Sequence, residues 1–258
     1  MKLSIVICDN HKNFRLESKR EIRVQKLSKD VELVGPVPGP SVASMRNLGA
    51  EKSDGNWIFF IDWDVQADTH KLLKLIHCIE SRNLPIKALG GLYKAHNPNF
   101  LGKAYNLMQR TWVLNGLSQD KNLAPFKEGK HLLGGALLVH RPSFFKVGGF
   151  DELIGWGADE LEFLERLRGY GYQSAVSYSL VVPDLKNPGL LGYLKRAWYQ
   201  NFNRTYFGLE SQPEGRGFLQ YFRSPKRYWP LLLTFFGVAQ LASTSGTIRA
   251  SYRQRWKY

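Results

Sequence analysis

The sequence predicts an α/β domain with a mostly parallel, doubly wound sheet and a helical C-terminal extension, and three observations predict it. Short apolar runs rich in β-branched and aromatic residues alternate with segments of helical period, the pattern of strands joined by crossover helices. The run Trp57-Ile58-Phe59-Phe60-Ile61 is apolar without a break, as a central strand covered on both faces must be. The 258 residues carry 43% hydrophobic and 22% charged side chains, enough for one large core but crowded for two domains of ordinary size.

Leu3 to Cys8 is a β-branched run ending in Asp9-Asn10, and it reads as a buried strand followed by a loop. Residues 14–27 are charged and of helical character. Val31 to Val34 reads as a second strand, closed by Gly35-Pro36-Val37-Pro38-Gly39-Pro40, whose prolines should exclude helix and strand ladder alike. Ser41 offers an N-cap for a helix through Ala50, and the central strand stops at Asp62-Trp63-Asp64. Asp68-Thr69 can cap a helix whose Leu72, Leu73, Ile76 and Ile79 recur at helical spacing. Ala88 to Tyr93 is strand-like, residues 97–129 give no clear elements, and Leu132 to Val139 is a strand-like run that contains Gly134-Gly135. A helix from Asp159 to Arg168 ends at Gly169 and Gly171, and Ala175 to Val182 is the last strand.

The formal net charge of +14 favours anionic partners: nucleic acid, lipid headgroups or phosphate-bearing substrates. Cations crowd the C-terminal third, while the acids lie mainly before Asp184. Cys8 and Cys78 show no metal-finger or redox spacing and read as small buried apolar residues of a reducing compartment. The apolar run after Lys2 is too short for a signal peptide, so a cytoplasmic protein is expected.

Ligands of open α/β sheets bind beyond the carboxyl ends of the strands, where Asp62 and Asp64 fall. Two carboxylates one residue apart on an extended segment can both reach one hard cation, which would bridge to a diphosphate; the bland alternative is that they begin a turn. Further on, Asp159 followed three residues later by Glu162 fits a capping box, which occupies both side chains and leaves Glu160 free. At a helix N-terminus the macrodipole favours an ionised carboxylate, which suits a general base. Gly134-Gly135 allows close approach of a ligand or a neighbouring strand. Trp156 could stack on a sugar or belong to the core, and Arg46 could contact phosphate or pack its helix.

The ordered blocks Gly39 to Ala50, Asp54 to Asp64, His131 to Val139 and Phe145 to Phe163 resemble the large second family of glycosyltransferases with the GT-A fold. In that family an Ala-Arg-Asn-x-Gly helix precedes a strand ending in Asp-x-Asp; here Ser44 replaces the alanine. The resemblance spans residues 1–205 and implies a single GT-A domain of Rossmann-like, nucleotide-diphospho-sugar transferase type, with a nucleotide-sugar half over 1–95 and an acceptor half over 96–205. It implies an inverting enzyme of polysaccharide biosynthesis. Asp62, Asp64, Arg46 and Asp9 would bind the donor, a UDP-sugar first. A divalent metal, Mn²⁺ or Mg²⁺, would be held by Asp64 and Asp62. Relatives carry Glu-Asp where this chain has Asp159-Glu160, so the base maps to Glu160 with Asp159 as the fallback. Trp156, Gly134 and Gly135 would meet a glycan or lipid-linked acceptor. Two departures matter: Gly35-Pro36 stands where relatives place a base-reading aspartate, and Pro183-Asp184-Leu185-Lys186 where many place a metal-binding histidine. Asp184 could substitute as ligand, or Lys186 could neutralise phosphate directly.

Residues 206–258 form a basic, partly apolar extension. Tyr228 to Ile248 contains no charge and is flanked by Arg227 and Arg249, which favours an interfacial helix on the cytoplasmic face of a membrane over a helix packed on the catalytic domain or a second subunit. A basic nucleic-acid-binding module is the rival from another class, but it leaves both acidic motifs unexplained, so no nucleic-acid partner is expected. A catalytically silent sugar-binding protein of the same fold is the third reading.

Overall fold

The computed structural model describes residues 2–8, 29–62, 65, 68–95, 99–115, 117–123, 126–154, 157–184, 189–209 and 226–255. The expected helix over residues 14–27 lies outside them. Among the described residues, β1 (Leu3–Cys8), β2 (Val31–Val37), β3 (Trp57–Asp62), β4 (Ile86–Ala95), β5 (Leu117–Leu123), β6 (Phe126–Gly129), β7 (Ala136–His140) and β8 (Gln173–Asp184) form one eight-stranded sheet in the order β2-β1-β3-β7-β4-β8-β6-β5. The helices are α1 (Val42–Glu51), α2 (Thr69–Ser81), α3 (Phe100–Asn115), α4 (Arg141–Lys146), α5 (Asp159–Gly169), α6 (Leu190–Tyr206) and α7 (Trp229–Arg255).

Alternation along the strands divides the core into two layers. Leu3, Ile5, Ile7, Trp57, Phe59 and Ile61 pack with Leu72, Leu75, Ile76 and Ile79 of α2 on one face. Val6, Cys8, Ile58 and Phe60 pack with Met45, Phe144, Phe163 and Leu164 of α1, α4 and α5 on the other. Both faces of β3 are therefore covered, which is why its sequence is apolar without a break.

The α/β architecture is the expected one, with a sheet more mixed than its sequence suggests. Pairing is parallel at β1–β2, β1–β3 and β4–β8, but β7 runs antiparallel to both β3 and β4, and β5 and β6 add antiparallel pairs at the far edge. A strand buried on both faces has the same composition in either direction, so orientation was not readable. The unplaced stretch 97–129 resolves into α3, β5 and β6. The proline-rich loop is corrected: β2 continues through Gly35 and Pro36 to Val37. It lies at the sheet edge, where a proline costs little pairing, and the β1–β2 register shifts between Val6 and Cys8. Gly35 has φ +116, a conformation only glycine adopts readily.

A third cluster holds the C-terminal helices. Tyr105 of α3, Tyr193 of α6, and Leu232 and Phe235 of α7 are buried together. Helix α7 is long and apolar enough to cross a membrane by length and composition, yet one side of it is packed on the domain through Leu232, Phe235, Ala239, Ala242 and Ser243.

Candidate active site

The carboxyl ends of β1, β3, β4 and β8 share one edge of the sheet, because β7 reverses direction between β3 and β4. Asp62 closes β3 there, and its N–H donates to the Gly135 carbonyl at 3.2 Å. Gly135 thus anchors the end of the acid-bearing strand. The Asp62 side chain is 39% exposed.

Helix α1 approaches this edge from a reciprocal cap. The Ser41 hydroxyl accepts from the Ser44 N–H at 3.1 Å, and the Ser44 hydroxyl accepts from the Ser41 N–H at 3.1 Å. The serine that replaces the usual alanine therefore has a local use. Two residues on, the helix delivers Arg46 and Asn47 on neighbouring faces. Asn47 clips α1 to the chain before α5: its Nδ2 donates to the Phe150 carbonyl at 2.9 Å and its Oδ1 accepts from the Phe150 N–H at 2.9 Å. Asn47 follows Arg46 in the family block, and that Arg-Asn pair on a capped helix was the available signal for it.

Arg46 is only 4% exposed, and its guanidinium is engaged by carboxylates of two other segments. Its Nη1 donates to Asp159 Oδ2 at 2.6 Å, its Nη2 lies 4.0 Å from Asp62 Oδ1, and its guanidinium carbon sits 5.2 Å from the centre of the Phe150 ring. One buried cation thus joins the strand-end acid to the acid pair of α5. Gly134 leaves room for this cation: a Cβ there would stand 2.8–2.9 Å from the guanidinium nitrogens. The space expected for a ligand or strand is filled by Arg46.

The capping box expected at Asp159 and Glu162 is not formed. The N-cap is Ala158, without a side-chain cap bond, and Asp159 is the first helical residue. A charge-assisted bond to a buried guanidinium outweighs one to a backbone N–H, so the Asp159 carboxylate goes to Arg46. Glu162 pairs instead with Arg166, which also donates to the Val147 and Gly149 carbonyls at 2.5 and 2.7 Å.

Asp159 is 2% and Glu160 6% exposed. Burial first, then the negative charge of Asp159 and a hydrogen bond with it, push the Glu160 carboxyl up to about 8, against the pull of Arg204 and Arg46. The helix N-terminus was expected to keep Glu160 ionised; desolvation outweighs it. Cys8, beside Arg46, is pushed up to about 12 by burial and stays an inert thiol, as its sequence context implied.

Asp9, Asp64, Trp156 and Lys186 lie outside the described residues. Asp184 ends β8 with its backbone in register with Ala95, on the same sheet edge as Asp62. Among the described residues no group of three or more His, Cys, Asp or Glu could hold a metal alone. Asp62 offers one hard oxygen donor on an open strand end.

Residues 36–216 match the family described as Glycosyltransferase like family 2. No curated protein matches the chain. Among solved structures, the mannosyltransferase PcManGT from Pyrobaculum calidifontis, in complex with GDP-Man and Mn²⁺, is similar over 97% of this chain and 73% of its own, with 11% identity and a TM-score of 0.52. GalNAc-T7 with UDP, GalNAc and Mn²⁺ aligns over 89% of this chain and 55% of its own, with 12% identity and a TM-score of 0.49.

Proposed function

Because the chain belongs to glycosyltransferase-like family 2, we propose that it is an inverting sugar transferase that moves a sugar from a nucleoside diphosphate to an acceptor hydroxyl. The observation that carries this reading is the buried guanidinium of Arg46 between Asp62 and Asp159, with the buried Glu160 carboxyl next to Asp159. In this reading a donor site and a proton acceptor would be linked through one side chain.

In the proposed reaction the acceptor O–H gives its proton to a Glu160 carboxylate oxygen. The acceptor oxygen so freed attacks the anomeric carbon from the face opposite the diphosphate; the bond from that carbon to the diphosphate breaks, its electron pair leaves with the diphosphate, and the anomer inverts. Asp159 stays bound to Arg46 and positions Glu160 without exchanging the proton. Asp62 and Asp64, with Asp184 as a further candidate, would hold Mn²⁺ or Mg²⁺, which supplies charge neutralisation to the departing diphosphate. The Mn²⁺ and GDP-Man bound by the similar mannosyltransferase support a metal and a nucleotide-sugar donor. A carboxyl raised this far accepts a proton readily but must first be ionised, so turnover should climb with pH through the Glu160 range and fall below it.

The catalytic domain is assigned to residues 1–205 and the extension to 206–258. The acceptor is proposed to be a glycan or lipid-linked sugar met at the cytoplasmic face of a membrane. The exposed side of α7 supports this, presenting Leu233, Leu241 and Ile248 between Arg227 and Arg249. Leu241→Glu should then release the protein from anionic vesicles, and an unchanged vesicle fraction would leave α7 a purely packed helix.

The deciding experiment is thermal shift against UDP- and GDP-sugars with Mn²⁺, Mg²⁺ or chelator. A metal-dependent rise with one donor is expected. Equal donor affinity in chelator would remove the metal, and no response to any donor would favour a silent relative.

A further inference from the structure

Helices α6 and α7 lie outside the α/β core, yet an arginine from one of them reaches the catalytic turn. Arg204, in the last turn of α6, is 5% exposed, and its Nε donates to the Gly157 carbonyl at 3.0 Å. Its guanidinium carbon stands 3.9 Å from the centre of the Trp112 ring of α3. That ring is itself fixed by stacking on His131, with centres 4.4 Å apart and planes 3° from parallel. Gly157 has φ +83, and a Cβ there would come within 2.6 Å of Gln200 Cγ and 3.1 Å of its Cα, so α6 rests directly on the turn that leads into α5. Behind α6, α7 crosses at Gly246, where a Cβ would lie 2.6 Å from the Phe202 carbonyl and 3.2 Å from the Tyr206 nitrogen, on either side of Arg204.

We propose that Arg204 is a positioning residue of the transfer reaction: seated on Trp112 and braced by α7, it fixes the Gly157 turn and thereby the place where Glu160 meets the acceptor. This rests on Glu160 as the base. The surroundings say why the cation matters as well as the bond. Glu160 is faced by Asp159 from α5, Arg46 from α1 and Arg204 from α6, while Asp62 of β3 and Cys8 of β1 act on Arg46. Arg46 gives its 2.6 Å bond to Asp159. Arg204 is therefore the cation whose loss falls on Glu160 itself, leaving the carboxyl with the like charge of Asp159 and less to oppose it.

The test compares Arg204→Gln, Arg204→Lys and Trp112→Leu with the parent by two independent readouts. The first is slow hydrolysis of UDP-glucose and GDP-mannose with Mn²⁺ across pH, with donor Kd measured alongside. The second is amide hydrogen exchange over residues 157–162, which needs no substrate. Arg204→Gln should leave donor Kd unchanged, lower hydrolysis at least about tenfold and move the acidic limb up by about one pH unit. Arg204→Lys should restore the limb but not the full rate, because an ammonium cannot lie flat on Trp112. Trp112→Leu, which leaves the charge in place, should speed exchange over the turn without moving the limb. The proposal is overturned if Arg204→Gln leaves both limb and exchange unchanged, or if donor binding and hydrolysis fall together. If the parent hydrolyses neither donor, the transfer reading is what fails, and exchange in Arg204→Lys and Trp112→Leu still decides the positioning claim.

Discussion

The strand-end acid and the helix-start acids share one chemistry and live in opposite surroundings. Asp62 leaves 39% of its side chain in contact with solvent at the open edge of β3, whereas Asp159 and Glu160 are 2% and 6% exposed at the start of α5. Arg46 touches both regions and binds only one of them closely. A carboxylate that must meet an incoming cation and diphosphate keeps its water until the ligand replaces it. A carboxylate that must hold a proton is desolvated in advance, and the cost is carried by a permanent ion pair on its neighbour. In the proposed reaction the two regions would divide the work of binding from the work of proton transfer.

The sharpest way to break this division is Glu160→Gln. Turnover should fall by ~10²–10⁴ while donor affinity is kept, since an amide cannot take the acceptor proton. Asp159→Asn is the companion variant; if it abolishes turnover while Glu160→Gln retains it, the acid pair works in the opposite order. The same substitution sharpens the comparison through stability. A carboxyl raised from 4.5 to about 8 binds its proton more tightly in the folded chain, so its contribution is full below 4.5 and is lost as pH rises through about 8. Glu160→Gln should flatten that loss in melts recorded across pH.

Next in size is Arg46→Met, which strands Asp159 as an unpaired buried charge and should destabilise the fold by about 3–5 kcal/mol in chemical denaturation. A loss no larger than a surface change would mean that the pair is not the structural link between the regions. Gly134→Ala should cost about 1–3 kcal/mol, because the methyl competes with the Arg46 guanidinium for space. The smallest effect on stability belongs to the open region. Asp62→Asn should change the melt by no more than about 0.5 kcal/mol and yet weaken Mn²⁺-dependent donor binding. A large stability loss with intact donor binding would reverse the roles assigned to the two acids.

What was legible in the sequence was local. The strand β3, the Ser41 and Asp68 caps and the span of α5 follow from side chains within a few residues of one another, and each is where the sequence put it. The family blocks led to Asp62, Asp159 and Glu160, which Arg46 links together. What stayed hidden depends on distant partners. The Arg46 to Asp159 bond joins residues 113 apart, and it removed Asp159 from the cap that its spacing with Glu162 suggested. Trp112, His131 and Arg204 come from three separate segments and form no motif in one dimension. The run through Pro36 was misjudged because an edge position is a property of the finished sheet and not of the residue.

The reversed strand β7 has a consequence for the order in which the chain can be built. It belongs to the half assigned to the acceptor, yet it fills the gap between β3 and β4 of the nucleotide half. During synthesis β3 and β4 leave the ribosome with no neighbour between them, and the edges they turn toward each other stay unsatisfied until residue 140 has followed. Two halves interleaved in this way cannot be completed one after the other. A nascent chain halted anywhere before β7 holds an open sheet, which makes that interval the one in which a chaperone, or aggregation, would find it.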